Sequence, residues 1–163
     1  MKVGIISDTH GYIDDRICAH LSECDEIWHA GDIGDLQVTD RLQQIAPLRA
    51  VYGNIDGGPL RWEFPEEQLF DCKGIRVWMT HIGGYPPKYT TKLKKRLDEV
   101  KPDLFICGHS HILKVIPDTQ RNLLHINPGA AGLKGFHKVR TLILIEVGEG
   151  RVEKLNVVEL GTK

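Results

Sequence analysis

Apolar residues fall in short runs along this chain, and each run is stopped by polar residues and glycine. Lys2–Ser7 is a β-branched run that ends in Asp8-Thr9-His10. Glu26–Ala30 ends in Gly31-Asp32, Leu48–Tyr52 in Gly53-Asn54, and Ile75–Thr80 in His81. Leu104–Cys107 ends in Gly108-His109-Ser110-His111. Runs of about four to eight β-branched and aromatic residues bounded by glycine predict strands. Helix-length spacers separate the early runs. Ile17, Cys18 and Leu21 have near-helical spacing within 14–21, and Leu36, Val38, Leu42 and Ile45 repeat it before Pro47. Leu93, Leu97 and Val100 share one face of 89–100, ahead of Pro102. Strand–helix–strand alternation predicts parallel crossovers. After Leu113 the texture changes. Leu113–Pro117, Asn122–Ile126, Thr141–Val147 and Val152–Leu160 predict hairpin strands, with Gly148-Glu149-Gly150 as a turn. The fold class expected is α/β, starting with parallel crossovers and finishing as antiparallel β. With no linker or repeat, one domain over 1–163 is expected.

Composition narrows the classes. Apolar residues make up 41% and charged residues 26% of the chain, which removes disordered and low-complexity readings. The 21 basic and 22 acidic residues nearly cancel, so a nucleic-acid partner has no electrostatic footprint. No run approaches the ~18–20 apolar residues of a membrane span, nor a signal h-region, so a cytoplasmic chain without a membrane partner is expected. Cys18, Cys24, Cys72 and Cys107 show no metal-type spacing and are expected to be free thiols. An edge strand near the C-terminus would allow a homo-oligomer to pair.

Histidine changes the picture, through position more than through its count of eight. Asp8, His10, Asp32, Asn54, His81, His109 and His111 all fall just beyond a predicted strand. In open α/β sheets ligands bind at that edge, where loops converge on a rigid scaffold. The set offers oxygen and imidazole donors and no cysteine, which suits Mn²⁺, Zn²⁺, Fe²⁺ or Ni²⁺ better than Mg²⁺ or Ca²⁺ alone. Gly31, Gly53 and Gly108 each precede a candidate ligand, where a sharp turn or a close backbone approach is expected. Asp8 and His10, two positions apart, are expected to face one ion from the same strand-end face. His109 and His111 would do likewise, or a loop conformation would send them to different ions.

These blocks resemble the calcineurin-like metallophosphoesterases, whose pattern runs D-x-H, G-D, G-N-x-D/E, H and G-H-x-H. Here the pattern stands as Asp8-Thr9-His10, Gly31-Asp32, Gly53-Asn54-Ile55-Asp56, His81 and Gly108-His109-Ser110-His111. Asn127-Pro128-Gly129-Ala130 resembles the N-P-G-S/A stretch of the small bacterial and archaeal subgroup. The resemblance implies a four-layer sandwich of two packed mixed β-sheets flanked by helices. It also implies two divalent metal ions, Mn²⁺ favoured, with Ni²⁺, Zn²⁺, Fe²⁺ or Mg²⁺ as alternatives. One ion would be held by Asp8, His10, Asp32 and His111, and the other by Asp32, Asn54, His81 and His109, with Asp32 bridging. Asp32, Asn54, His10 and His109 are also the candidate catalytic residues. Two ions ~3.5–4 Å apart would activate a water as hydroxide and neutralise charge on a phosphoryl group.

The expected activity is therefore hydrolysis of a small phosphoester, with phosphodiesters favoured over phosphomonoesters. Larger relatives carry histidine after the Asn of G-N-H-D/E, where it assists the leaving group; here Ile55 leaves that role empty. Leu36 stands where the longer family motif has a basic phosphate clamp. A different class of reading is a metal-binding interaction scaffold, since the retromer subunit that resembles this subgroup serves as a protein-interaction module. Asp56 and His29 are candidates for orienting ligands from behind, and Ser110 and Asn127 for hydrogen bonds near the site. His20, His125 and His137 are expected to be structural, and Lys92, Lys94, Lys95 and Arg96 to form a solvated helix face or to attract anionic substrates. Tyr85, in the loop after His81, is a candidate for the pocket rim.

Overall fold

The computed structural model describes residues 1–163. In order come β1 (Lys2–Ile6), α1 (Asp15–Leu21), β2 (Glu26–His29), α2 (Leu36–Gln43) and β3 (Leu48–Ala50). Next are α3 (Gly58–Glu63), β4 (Glu67–Cys72), β5 (Ile75–Thr80), α4 (Thr91–Val100) and β6 (Leu104–Ile106). The chain finishes with β7 (Lys114–Asp118), β8 (Leu123–Asn127), β9 (Val139–Gly148) and β10 (Arg151–Thr162). One sheet has the order β10-β9-β1-β2-β3 and the other β4-β5-β6-β8-β7. β1, β2 and β3 pair in parallel, as do β5, β6 and β8, while β9, β10, β4 and β7 add antiparallel edges.

The alternation of side chains along β1 and β2 sets the layers. Val3, Ile5 and Trp28 point between the sheets, where they meet Val77, Met79 and Ile106. Ile6 and Ile27 point the other way, onto Ile17 and Leu21 of α1 and Val38 and Leu42 of α2. On the far face of the second sheet, Trp78 and Phe105 pack against Leu97 and Val100 of α4. Helices, sheet, sheet and helix therefore form four layers, and three apolar clusters fill the spaces between them. Caps fix the helix starts: the side chain of Asp14 accepts from Ile17 N, Asp35 from Gln37 N, and Thr90 from Leu93 N. No helix is long and apolar enough to cross a membrane.

Two elements escaped the sequence reading, and one pairing was misread. β4 is an edge strand with partly exposed residues on both faces, so its sequence carries no inside–outside alternation. α3 starts at Gly58-Pro59 and buries little beyond Leu60, so its period is invisible. β8 was expected in an antiparallel finish; it pairs in parallel with β6 and antiparallel with β7. The β9–β10 hairpin does form, turning through Glu149 and Gly150. Tyr89 lies before α4 and its hydroxyl meets Nδ1 of His125 at 3.0 Å.

His29 and His125 are fully buried, and burial pushes each imidazole down to about 4. Their folded values lie below the ordinary 6.5, so the unfolded chain binds more protons as pH falls. Stability is then complete above pH ~6.5 and lost toward pH 4, by on the order of 3 kcal/mol per ring. Urea unfolding at pH 7 and pH 4.5 should show a lower midpoint in acid, and both rings should stay neutral by NMR at pH 5.5 in the folded chain.

Candidate metal centre

All seven candidate residues converge where the C-terminal ends of β1, β2, β3, β5 and β6 meet. The backbone brings them there through unusual turns. Asp8, His10, Asp32, His109 and His111 have φ of 54°, 48°, 52°, 72° and 60°, in the left-handed region. Asp and His tolerate that region better than most residues, yet it costs about 1 kcal/mol or more each and needs support. Support comes from the neighbouring loop: Asp8 N donates to Gly31 O and His10 N to Asp32 O, both at 3.0 Å. Asp8 and His10 thus converge through this turn, not through the alternation of a strand as their spacing suggested.

Two donor groups result. Asp8, His10 and His111 form one; Asp32, His81 and His109 form the other; within each, the donor atoms lie within 4.8 Å of one another. The His-x-His pair is therefore split between the groups. Asp32 faces both: its Oδ2 lies 3.6 Å from His10 Nε2 and its Oδ1 3.2 Å from His81 Nε2. Asn54 Oδ1 lies 2.9 Å from His109 Nδ1 and so joins the second group. Asp8 Oδ1 and His81 Nε2 are buried and have no hydrogen-bond partner. A buried carboxylate oxygen and a buried imidazole nitrogen without partners are costly unless a cation occupies the space they face, so the donor set fits a metal ion.

Protonation suits that role. His81 Nδ1 is 2.7 Å from Ala30 O, and a carbonyl only accepts, so Nδ1 carries a hydrogen and Nε2 is the nitrogen turned to the carboxylates. Burial pushes the His81 ring down, but Asp32 and Asp8 outweigh it and raise its pKa, so a bound cation would displace a proton there. For His10 burial prevails over Asp32 and Asp8 and the pKa is lowered, which favours the neutral ring. Burial opposes the charge on Asp32, yet His81, the Ile55 N–H and His10 together hold its pKa below the ordinary value.

A layer of hydrogen bonds behind the donors holds the loops in register. Asp56 is buried and accepts from Gly53 N at 2.8 Å, Ile33 N at 3.0 Å and Gly34 N at 2.8 Å, clamping the loops after β2 and β3 together. His29 Nδ1 accepts from Gly31 N at 3.1 Å, which leaves Nε2 as the protonated nitrogen, 2.9 Å from Thr9 Oγ1. Asn127 Nδ2 donates to Gly108 O and Ser110 Oγ, and its Oδ1 accepts from Gly129 N, so this side chain braces the loop that carries His109 and His111. A Cβ on Gly53 would lie 2.1 Å from Asp32 Oδ1, and one on Gly108 2.0 Å from Ser7 Oγ, so both positions admit only glycine.

A family profile described as a calcineurin-like phosphoesterase superfamily domain matches residues 1–150. The chain belongs to this family. The family is metal-dependent, in keeping with the two donor groups. A probable metallophosphoesterase of Methanocaldococcus jannaschii is 31% identical over 136 residues, which is 80% of this chain and 68% of that one. The fold matches Vps29 of Entamoeba histolytica at a TM-score of 0.77 and 18% identity, covering 99% of this chain and 100% of that one. It also matches an archaeal phosphodiesterase at a TM-score of 0.76 and 22% identity, covering 98% and 100%. Those likenesses bear out the two-sheet metallophosphoesterase sandwich.

Some parts of the site were invisible in sequence. Ser7 Oγ donates to Asp8 Oδ2 at 2.7 Å, and the run of strand residues before Asp8 held no sign of it. His137 packs edge-on against His111, ring centroids 5.2 Å apart, and bonds to Gly132 O through Nε2; only the position of its loop could have revealed this. Asp56→Ala would strip the acceptor from three backbone N–H groups. At about 1–3 kcal/mol each, it should destabilise the metal-free chain by about 3 kcal/mol or more in chemical denaturation.

Proposed function

We infer that this phosphoesterase binds two divalent cations and hydrolyses small phosphodiesters, with Mn²⁺ the favoured cation. The observation that carries the reading is the placement of Asp32, one carboxylate oxygen turned toward each donor group. Asp8, His10, Asp32 and His111 would hold one cation, and Asp32, Asn54, His81 and His109 the other. When bound, two such cations act as Lewis acids on phosphoryl oxygens and make water a competent nucleophile near neutral pH. The protein's own part is positional. Ser7 and the His109 N–H fix Asp8 Oδ2, which leaves Oδ1 free to face the site. Ile55 N donates to Asp32 Oδ1 at 3.0 Å and sets the carboxylate plane. One domain over 1–163 carries all of these parts.

The diester preference draws on the likeness to a characterised archaeal phosphodiesterase. The open wall beside Asn54 and His81 also leaves room for a second ester arm. Ile55 is 48% exposed at the rim and has no proton to give, so the departing oxygen receives no help there. Good leaving groups should react far faster than alkyl ones. An interaction scaffold on the same fold is a weaker reading, because a scaffold has no need to keep every donor of both groups in place.

The test strips metal with chelator and restores Mn²⁺, Ni²⁺, Zn²⁺ or Mg²⁺ singly, with 4-nitrophenyl phosphate and bis(4-nitrophenyl) phosphate as substrates. Turnover should return with metal and favour the diester, and elemental analysis should count two ions per chain. Asp32→Asn should lower turnover roughly 10²-fold or more and reduce the metal content. Wild-type turnover in Asp32→Asn would remove the shared role, and no turnover with any metal in the folded protein would shift the reading to a scaffold. Ile55→His should raise the rate on an alkyl diester by roughly 10-fold or more while changing the aryl diester little.

A further inference from the structure

A groove of about 810 Å³ opens beside the candidate centre, with Asn54 and His81 lining it. α4 lines it from Lys92 to Glu99, and Tyr52 and Arg61 line it as well. That volume lies within the range that ordinary small-molecule sites occupy, and far exceeds what a bare phosphoryl group needs.

The charges along it are unequally partnered. Arg96 is neutralised inside the wall by Glu67 and, at 3.7 Å, by Glu99. Arg61 lies over the Tyr52 ring at 4.5 Å and donates to Asp56 O at 2.6 Å, so it holds its place without a carboxylate. Lys92 and Lys95, three residues apart on one face of α4, are exposed and have no carboxylate within ion-pair reach. Four cations thus line the groove against three carboxylates, Glu66, Glu67 and Glu99, and the cations without a carboxylate partner are Arg61, Lys92 and Lys95. Leu93 and the half-exposed Ile82 add apolar surface to the same lining.

The geometry points to this groove as the seat of the non-scissile arm, and to a substrate whose arm ends in a second anionic group, such as a phosphorylated nucleoside. The assignment rests on the phosphodiesterase reading above and deepens it. Lys92 and Lys95 are specificity-determining residues, and they supply the cationic clamp that Leu36 cannot provide elsewhere. Their solvated position makes the attraction moderate and sensitive to salt.

The decisive comparison uses two chromogenic diesters with the same scissile bond, thymidine 5′-(4-nitrophenyl phosphate) with and without a 3′-phosphate. In the Mn²⁺-loaded protein at low salt, kcat/KM should be about 5- to 10-fold higher with the 3′-phosphate. The double variant Lys92→Ala/Lys95→Ala should lose that advantage through KM, keep its activity on the plain diester, and resemble wild type at 0.5 M salt. Equal values for the two substrates in wild type, or an advantage that survives in the double variant, would overturn the assignment. Calorimetry with thymidine 3′,5′-bisphosphate reads the groove independently of turnover. Wild type should bind about 5- to 10-fold tighter than the double variant, and equal affinity would overturn the groove even if both esters are cleaved. Binding without cleavage of either ester would instead sink the phosphodiesterase reading and leave the groove standing.

Discussion

Two carboxylates, Asp8 and Asp32, are buried where the two sheets meet, and the surrounding structure is arranged to make that burial tolerable. A carboxylate removed from water costs several kcal/mol unless it is paired or hydrogen-bonded. Asp8 Oδ2 is served by Ser7 Oγ and His109 N, whereas Asp8 Oδ1 accepts no hydrogen bond and faces His111 Nε2 at 3.2 Å. Asp32 is met by Ile55 N on one oxygen and approached by histidine from both groups. The unsatisfied remainder is concentrated on the side that the histidines face. A cation placed there would satisfy both Asp8 Oδ1 and His81 Nε2, which explains why such an unfavourable pair of atoms persists.

That arrangement demands turns that the backbone would not choose alone. Five of the seven candidate residues sit at positive φ, and their strain is opposed by bonds from loop to loop. Asp56 is central to this because one carboxylate accepts from N–H groups of two different loops. His29 and Asn127 perform the same service at the other two turns, one through Thr9 and Gly31, the other through Gly108 and Ser110. None of these three side chains belongs to a donor group. Each works by making one conformation of a donor-bearing loop cheaper than the alternatives, which is what preorganisation requires.

The four-layer fold supplies rigidity for the centre and a place for substrate. Strands β1, β2, β5 and β6 are covered on both faces, so their ends have little freedom to move. α4, by contrast, packs through Leu97 and Val100 and turns Lys92 and Lys95 to solvent beside the centre. The same amphipathic spacing that docks this helix therefore also sets charge along the groove.

Sequence alone determined the strands that precede each donor, the three amphipathic helices with regular apolar spacing, and the identity of all seven candidate donors. Those features are local: a β-branched run, a helical period and a glycine before a polar residue are each written within a few positions. Tertiary structure alone decided which donors share a group. His109 and His111 are two residues apart in the chain yet fall into different groups, because each follows its own left-handed turn. It also decided that β8 runs parallel to β6, that an edge strand as polar as β4 forms at all, and which backbone N–H groups Asp56 clamps. Each of those outcomes depends on partners distant in sequence, and pairing across such distances leaves no period or spacing in the chain that encodes it.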